Sequence, residues 1–233
     1  MSRYLKNIIE NLERIENEET EKIEQASNLV AETIKNDGLI FVFGCGHSHL
    51  PALDAFYRAG GLANVSPILD TDLMLHNGAA KSSRMEKMSG IAPEIFRRYC
   101  LKGNDVLFVI SASGKNDVPF EMAKAAKNAG IKVVGISSSE YYKKGGKLQT
   151  VVDIAIDCKV PYGDASIDVG QAKMGGLSTY ASCFILNSCL INGAEKANAQ
   201  GITPPVFLSG NIEGGKEFNV HLEEKYLGRV KHL

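Results

Sequence analysis

Two short stretches carry residue types at spacings that could hold an anion. The first, Ser111-Ala112-Ser113-Gly114-Lys115-Asn116, follows the apolar run of residues 106–110 and precedes a helical pattern that starts near Asp117. A strand that turns into a helix leaves the first helical N–H groups without intrahelical partners. Here they would meet the Ser111 and Ser113 hydroxyls in one small volume of partial positive charge, which suits a phosphate. Taken alone, the stretch suits equally an ordinary turn with Asn116 as its N-cap. The second stretch, Gly44-Cys45-Gly46-His47-Ser48-His49, repeats the logic after the apolar run of residues 39–43. Gly44 and Gly46 let backbone pass close to a ligand, and Ser48 stands where the next helix begins. A dinucleotide fingerprint would need a third glycine where His49 stands, and no acid follows at the spacing a ribose contact requires. A nucleotide or flavin site is therefore the weaker alternative, and no cofactor is called for.

Proton-transfer chemistry needs an acid or a histidine near such a site. Residues 71–90, TDLMLHNGAAKSSRMEKMSG, are polar and basic and come after the C-terminal end of a strand, the binding edge of an open parallel sheet. They offer His76, Lys81, Arg84 and Glu86, either as site residues or as charges on a solvated loop. Asp54, on the helix after the first loop, His49, and His221 reaching in from a neighbouring subunit complete the candidates. Ser137, at the end of the strand of residues 131–136, and Ser178 and Thr179, in the first turn of the last long helix, add hydroxyls at the same sheet edge.

The elements that would position these residues alternate. Residues 3–36 place Leu5, Ile8, Leu12, Ile15, Ile23, Ala26, Val30 and Ile34 at helical spacing, with a gap at Glu19 where an apolar residue is due. This predicts one helix or two joined by a kink near residues 16–21. A single helix of that length would span roughly 50 Å, so part of it would overhang the domain toward a partner subunit. Strands are predicted at 39–43, 65–69, 106–110, 131–136 and 151–156. Helices fill the segments through Asp54 and Tyr57, over 91–101, from Phe120 to Gly130, and from Met174 to Gly201. Residues 141–147 read as a mobile basic loop, and Pro161, Gly163, Asp164 and Ser166 as a polar turn. The strand, helix, strand order predicts parallel pairing. The chain divides into a helical segment, 1–36, assigned to dimerisation, an α/β domain, 37–201, and a tail, 202–233.

Composition excludes several classes of function. The 26 Lys and Arg nearly balance the 27 Asp and Glu, so no global field recruits nucleic acid or an anionic membrane surface. Five cysteines without a CxxC pair fit reduced thiols better than a disulfide framework. The N-terminus opens on a Glu-rich amphipathic pattern, and the most apolar helix is too short to span a bilayer. Together these predict a soluble cytoplasmic protein.

The glycine loop after the first strand, Ser111-Ala112-Ser113-Gly114 after the third, and Ser178-Thr179 opening the last helix together resemble a sugar isomerase (SIS) domain over about residues 30–200. GCGHSHLPAL, FYRAGG, LMLHNGAAKSSR and PPVFLSGN look most like a bacterial branch of that family related to phosphoheptose isomerases. The third-strand loop of the family reads Ser-x-Ser-Gly-x-Ser/Thr, and Asn116 replaces its last hydroxyl. The resemblance implies a flavodoxin-like three-layer α/β/α sandwich with a five-stranded parallel sheet and a phosphosugar ligand. It also implies homodimers or homotetramers with sites completed across subunits. Phosphate contacts would come from Gly46, His47, Ser48, Ser111, Ser113, Gly114, Asn116, Ser137, Ser178, Thr179 and Arg84. Heptose isomerases place a histidine and a glutamate where this chain has Asp54 and Arg58, and a histidine on the last helix, where this chain has none between Gly170 and Asn198. A metal-assisted site is not carried over. Aldose–ketose isomerisation through an enediolate would use Glu86 or Asp54 as base and His76 to open the ring or polarise the carbonyl. The alternatives are a non-catalytic phosphosugar sensor and a lyase or etherase acting on an amino-sugar phosphate.

Overall fold

The computed structural model describes all 233 residues. In chain order the elements are α1 (Arg3–Lys35), β1 (Ile40–Gly44), α2 (Leu50–Ala55), β2 (Val65–Ile68), α3 (Ala79–Met85), α4 (Ile91–Arg97), β3 (Val106–Ile110), α5 (Asp117–Asn128), β4 (Lys132–Ser137), α6 (Ser139–Tyr142), β5 (Ile154–Asp157), β6 (Ala165–Val169), β7 (Ala172–Gly176), α7 (Ser178–Ala199) and α8 (Gly215–Tyr226). The first five strands form one parallel sheet in the order β2-β1-β3-β4-β5.

Strands buried on both faces must be apolar at every position, and β1 and β3 are. Their alternation sorts side chains into two cores. Val106, Phe108 and Ile110 of β3 pack with Ile23, Val30, Ile185 and Leu186 of α1 and α7. Leu107 and Val109 face the other way, against Ile95 of α4, Met122 of α5, and Leu222 and Tyr226 of α8. The result is the flavodoxin-like three-layer α/β/α sandwich. The chain leaves β1 for β2 on one side and for β3 on the other, which makes the C-terminal ends of β1 and β3 the switch point where open sheets bind ligands.

Several expectations are corrected. α1 runs unbroken through residues 16–21, because Glu19, at the gap in the apolar pattern, is buried and satisfied by charge: its carboxylate lies 2.6 Å from Lys159 and 2.9 Å from Lys22. The outer turns of α1 do not overhang freely; Tyr4 donates to the Gly176 carbonyl at 2.7 Å and Asn7 to that of Ser166 at 3.0 Å. Residues 172–176 are not the start of the last helix. They pair antiparallel with 165–169 in a hairpin, and α7 begins at Ser178. The fifth strand starts at Ile154 and not at 151, because Asp153 turns aside to accept the Val133 amide at 2.8 Å. α2 ends at Ala55, short of Tyr57, which takes a left-handed φ of 44°. The tail contains a helix, α8, that packs on the same domain.

Candidate functional site

The strand ends build the site. Gly44 closes β1, and a Cβ there would sit 2.1 Å from the Ser48 carbonyl oxygen, so only glycine lets the 45–49 turn fold back over the strand end. That turn presents Gly46, His47 and Ser48 to a cleft of about 420 Å³. Across it stands the loop after β3. Ser111 accepts the Gly114 amide on its hydroxyl oxygen at 3.1 Å, and Ser113 accepts that of Lys115 at 3.4 Å. With their oxygens engaged as acceptors, both hydroxyls keep a proton to donate into the cleft. The backbone N–H groups of Ser113 and Asn116 donate to no atom of the chain. Asn116 occupies the N-cap position of α5, yet its side chain does not cap that helix. The arrangement is a cradle of donors at the switch point, as phosphate recognition by backbone and hydroxyls requires.

The third wall comes from α3. Ser82, Ser83 and Glu86 share a helical face and line the cleft, while Arg84 points to solvent. The Glu86 carbonyl accepts the Val118 amide at 3.2 Å, which ties the end of α3 to the start of α5. Burial pushes the Glu86 carboxyl above the ordinary glutamate range, and the facing Asn116 amide opposes that shift less strongly. A half-buried carboxyl with a raised pKa beside a donor cradle is placed to exchange a proton with a bound molecule. Cys45 also lines the cleft, but burial, with the Glu86 and Asp70 carboxylates, raises its thiol well above the usual value and keeps it neutral and unreactive.

Tyr141 and Asp164 complete the lining. Asp164 accepts the amides of Leu177 and Ser178 at 3.0 and 2.8 Å on one oxygen and the Ser178 hydroxyl at 2.7 Å on the other. The N-terminus of α7 is therefore capped by the chain's own carboxylate. Tyr141 accepts the Gly163 amide at 2.9 Å and so braces the turn that carries Asp164.

Of the sequence-derived candidates, the structure brings together Gly46, His47, Ser48, Glu86, Ser111, Ser113 and Asn116. It places the others outside the lining. Asp54 is held by Arg58 and by the Asn187 amide at 3.0 Å. His76 is exposed beside the buried His49, with ring centroids 6.2 Å apart. Ser137 is buried beneath the site and accepts from Gln149 at 3.0 Å. Gly114 supports the loop from behind, its carbonyl taking the amides of Lys147 and Leu148 at 2.8 and 3.1 Å. Ser178 is engaged by Asp164, Thr179 is half-buried in the first turn of α7, and His221 is exposed on α8. Ser82, Ser83, Tyr141 and Asp164 were not among the candidates. The spacing of Ser82 and Ser83 to Glu86 on one helical face is the signal that could have found the first two. No group of three His, Cys, Asp or Glu stands close enough together to hold a metal ion, and no helix is long and apolar enough to cross a membrane.

Comparison with known proteins agrees with this architecture. The SIS domain model matches residues 3–138. The chain is 43% identical to UPF0309 protein TTE0306 of Caldanaerobacter subterraneus subsp. tengcongensis over 99% of this chain and 98% of that one. It is 39% identical to a UPF0309 protein of Geobacillus thermodenitrificans over 100% and 97%. Among solved structures, phosphoheptose isomerase GmhA from Neisseria gonorrhoeae superposes with a TM-score of 0.54 at 20% identity, covering 81% of this chain and 94% of that one. The c3406 protein of Escherichia coli CFT073, solved as a ligand complex, superposes at 0.52 and 12% identity, covering 94% and 93%. At these identities the two structures speak to the fold.

Proposed function

The chain belongs to the SIS domain family, and on that premise we propose that its cleft binds a phosphosugar and interconverts the aldose and ketose forms through an enediolate. The observation that carries this reading is Glu86: a half-buried carboxyl with a raised pKa, opposite free amides and hydroxyl donors at the switch point of the sheet. The phosphate sits against the Ser113 and Asn116 amides and the Ser111 and Ser113 hydroxyls. Glu86, as carboxylate, takes the proton from the carbon next to the carbonyl and becomes a carboxylic acid. It then returns that proton to the neighbouring carbon, while the hydroxyl proton passes from one oxygen to the other, so nothing is gained or lost. Ser83 and Asn116 lie on the same walls and would steady the enediolate oxygens, while Ser82, whose hydroxyl donates to the Leu73 carbonyl at 2.9 Å, fixes the α3 wall in place. His47, exposed at the rim, takes the ring-opening role in place of His76.

A second reading, a phosphosugar sensor without turnover, is favoured by one observation: Asp54 is locked by Arg58 and Asn187, which leaves Glu86 as the one half-buried acid free for chemistry in this region. Incubation with hexose, amino-hexose and heptose phosphates in deuterated water separates the two. Isomerisation exchanges solvent deuterium into the sugar at the carbons flanking the transfer, read by NMR. A phosphosugar that binds yet shows neither exchange nor conversion leaves only the sensor.

A further inference from the structure

The mouth of the cleft carries cations that its interior lacks. Glu86 and Asp164 line the cleft, and no lysine or arginine does. At the mouth, Lys115, between the two donor residues Ser113 and Asn116, holds its ammonium 5.9 Å from the Tyr141 ring centroid and 5.2 Å from that of Tyr162. Lys144 holds its own 5.6 Å from the Tyr162 ring. The two rings pack on each other with centroids 4.8 Å apart, and the Tyr141 hydroxyl is fixed by the Gly163 amide. Neither Lys115 nor Lys144 pairs with a carboxylate, whereas the neighbouring Lys143 and Lys147 are taken by Glu140 and Asp117. A ring face attracts an ammonium without neutralising it, so both keep their N–H donors for an anion.

Their position relative to the donor cradle follows from the sheet. Ser113 and Asn116 follow β3, Tyr141 follows β4 and Tyr162 follows β5, in that spatial order. At about 4.8 Å between neighbouring strands, the Tyr162 loop lies on the order of 10 Å from the loop after β3. The extended backbone of a small sugar with an acid at each end covers that distance.

We propose that the ligand of this cleft is a sugar phosphate bearing a second acidic group, a phosphate or a carboxylate, at its other end. The first phosphate occupies the Ser111–Asn116 cradle, and the second acid is received by Lys115 and Lys144 over the tyrosine pair. This rests on the phosphosugar reading above and narrows it to one class of substrate. It also accounts for a cleft whose own charged walls are acidic: the ligand's second charge is met outside them.

Isothermal titration at low ionic strength tests the inference on the full chain, with inorganic phosphate, a hexose monophosphate, a hexose bisphosphate phosphorylated at both ends and a phosphorylated aldonate. The wild type is expected to bind at least one of the two doubly acidic ligands about tenfold more tightly than the monophosphate, the gain of a charge-assisted contact. Which of the two gains identifies the second acid. In the Lys115→Met/Lys144→Met variant, which removes the ammonium groups of half-buried Lys115 and exposed Lys144 and leaves the backbone and hydroxyl donors of the cradle in place, that preference disappears while monophosphate affinity stays. Equal affinity for all three sugars in the wild type overturns the proposal. So does an equal loss for monophosphate and doubly acidic ligands in the variant, since the lysines would then serve the first phosphate. Failure of every phosphorylated compound to bind removes the phosphosugar reading itself, an outcome distinct from either.

Discussion

Lys159 Nζ lies 2.6 Å from Glu19 Oε1, with both side chains less than a tenth exposed, and this pair fastens the middle of α1 to the end of β5. Glu19 also accepts the Asp157 amide at 3.2 Å, and Asp157 in turn accepts the amides of Ser139 and Lys159 at 3.0 and 2.9 Å. Burial works against both charges. The Lys159 ammonium nevertheless titrates above its ordinary value because Glu19, Glu18 and Asp157 surround it, and Asp157 titrates below its own because of the hydrogen bonds it accepts.

Removing one member of this buried cluster leaves the other with weaker partners only: Lys159 keeps Glu18 at 3.0 Å and Asp157 at 3.3 Å, and Glu19 keeps Lys22 at 2.9 Å. Glu19→Leu or Lys159→Met alone is expected to cost about 2 kcal/mol, whereas the double variant, which buries two apolar side chains in place of the pair, recovers part of it and leaves Asp157 to its backbone donors. Denaturant melts of the three variants check this. The pH dependence has a defined sign. Asp157, with its pKa lowered by folding, stabilises the fold above its unfolded value and loses that contribution as pH falls through the folded one. Lys159, with its pKa raised, contributes fully below its unfolded value and loses it as pH rises through the folded one. Stability should therefore fall at both ends, below about pH 4 and above about pH 10, and Lys159→Met should have a shallower alkaline limb, the remainder coming from the buried thiols and Lys225, whose pKa values are also raised.

The donor loop after β3 depends on a glycine outside it. A Cβ on Gly146 would lie 2.9 Å from the Ser113 carbonyl oxygen and 3.0 Å from the Tyr142 Cα, both backbone atoms that cannot swing aside. Gly146→Ala should push the 141–148 segment off the Gly114 carbonyl, destabilise by about 1–2 kcal/mol and weaken phosphosugar binding more than tenfold. Gly103→Ala, where a Cβ meets open space, is the control expected to change neither. Equal ligand affinity in the Gly146 variant would show that the loop keeps its shape without this contact.

Much of this is legible in the sequence. The strands β1 and β3 announce themselves because burial on both faces demands unbroken apolar runs, and the loops after them carry the glycines and hydroxyls that an anion site needs. The hairpin β6–β7 leaves no such mark, because its side chains are half-buried or exposed and impose no hydrophobic alternation. α8 is as hard to read, because only Gly215, Leu222 and Tyr226 of its residues are buried, too few for a helical stripe. Within the site, composition marks residues 71–90 as polar and basic but does not tell Glu86 from Arg84. Helical phase decides that, turning Ser82 and Glu86 inward and Arg84 outward. Ser178 reads as a free hydroxyl in a helix's first turn. The partner that engages it, Asp164, is fourteen residues earlier, across the hairpin.

Glu86 yields the most direct test of the chemistry. If it is the base, kcat/KM depends on its ionised form, and the acid limb of the pH profile lies above the ordinary glutamate value of about 4.3 because burial raises its pKa. Glu86→Gln keeps the shape and the contact with Asn116 but cannot accept a proton. Turnover is expected to fall about a thousandfold while the dissociation constant of a substrate analogue changes little. The same substitution reports on stability with a known sign. A carboxyl whose pKa is raised by folding contributes stability below its unfolded value and loses it as pH rises through the folded one, so the neutral glutamine should leave the fold as stable as wild type or more so at pH 7. Turnover that survives in Glu86→Gln, with the acid limb unmoved, would assign the proton transfer to another group.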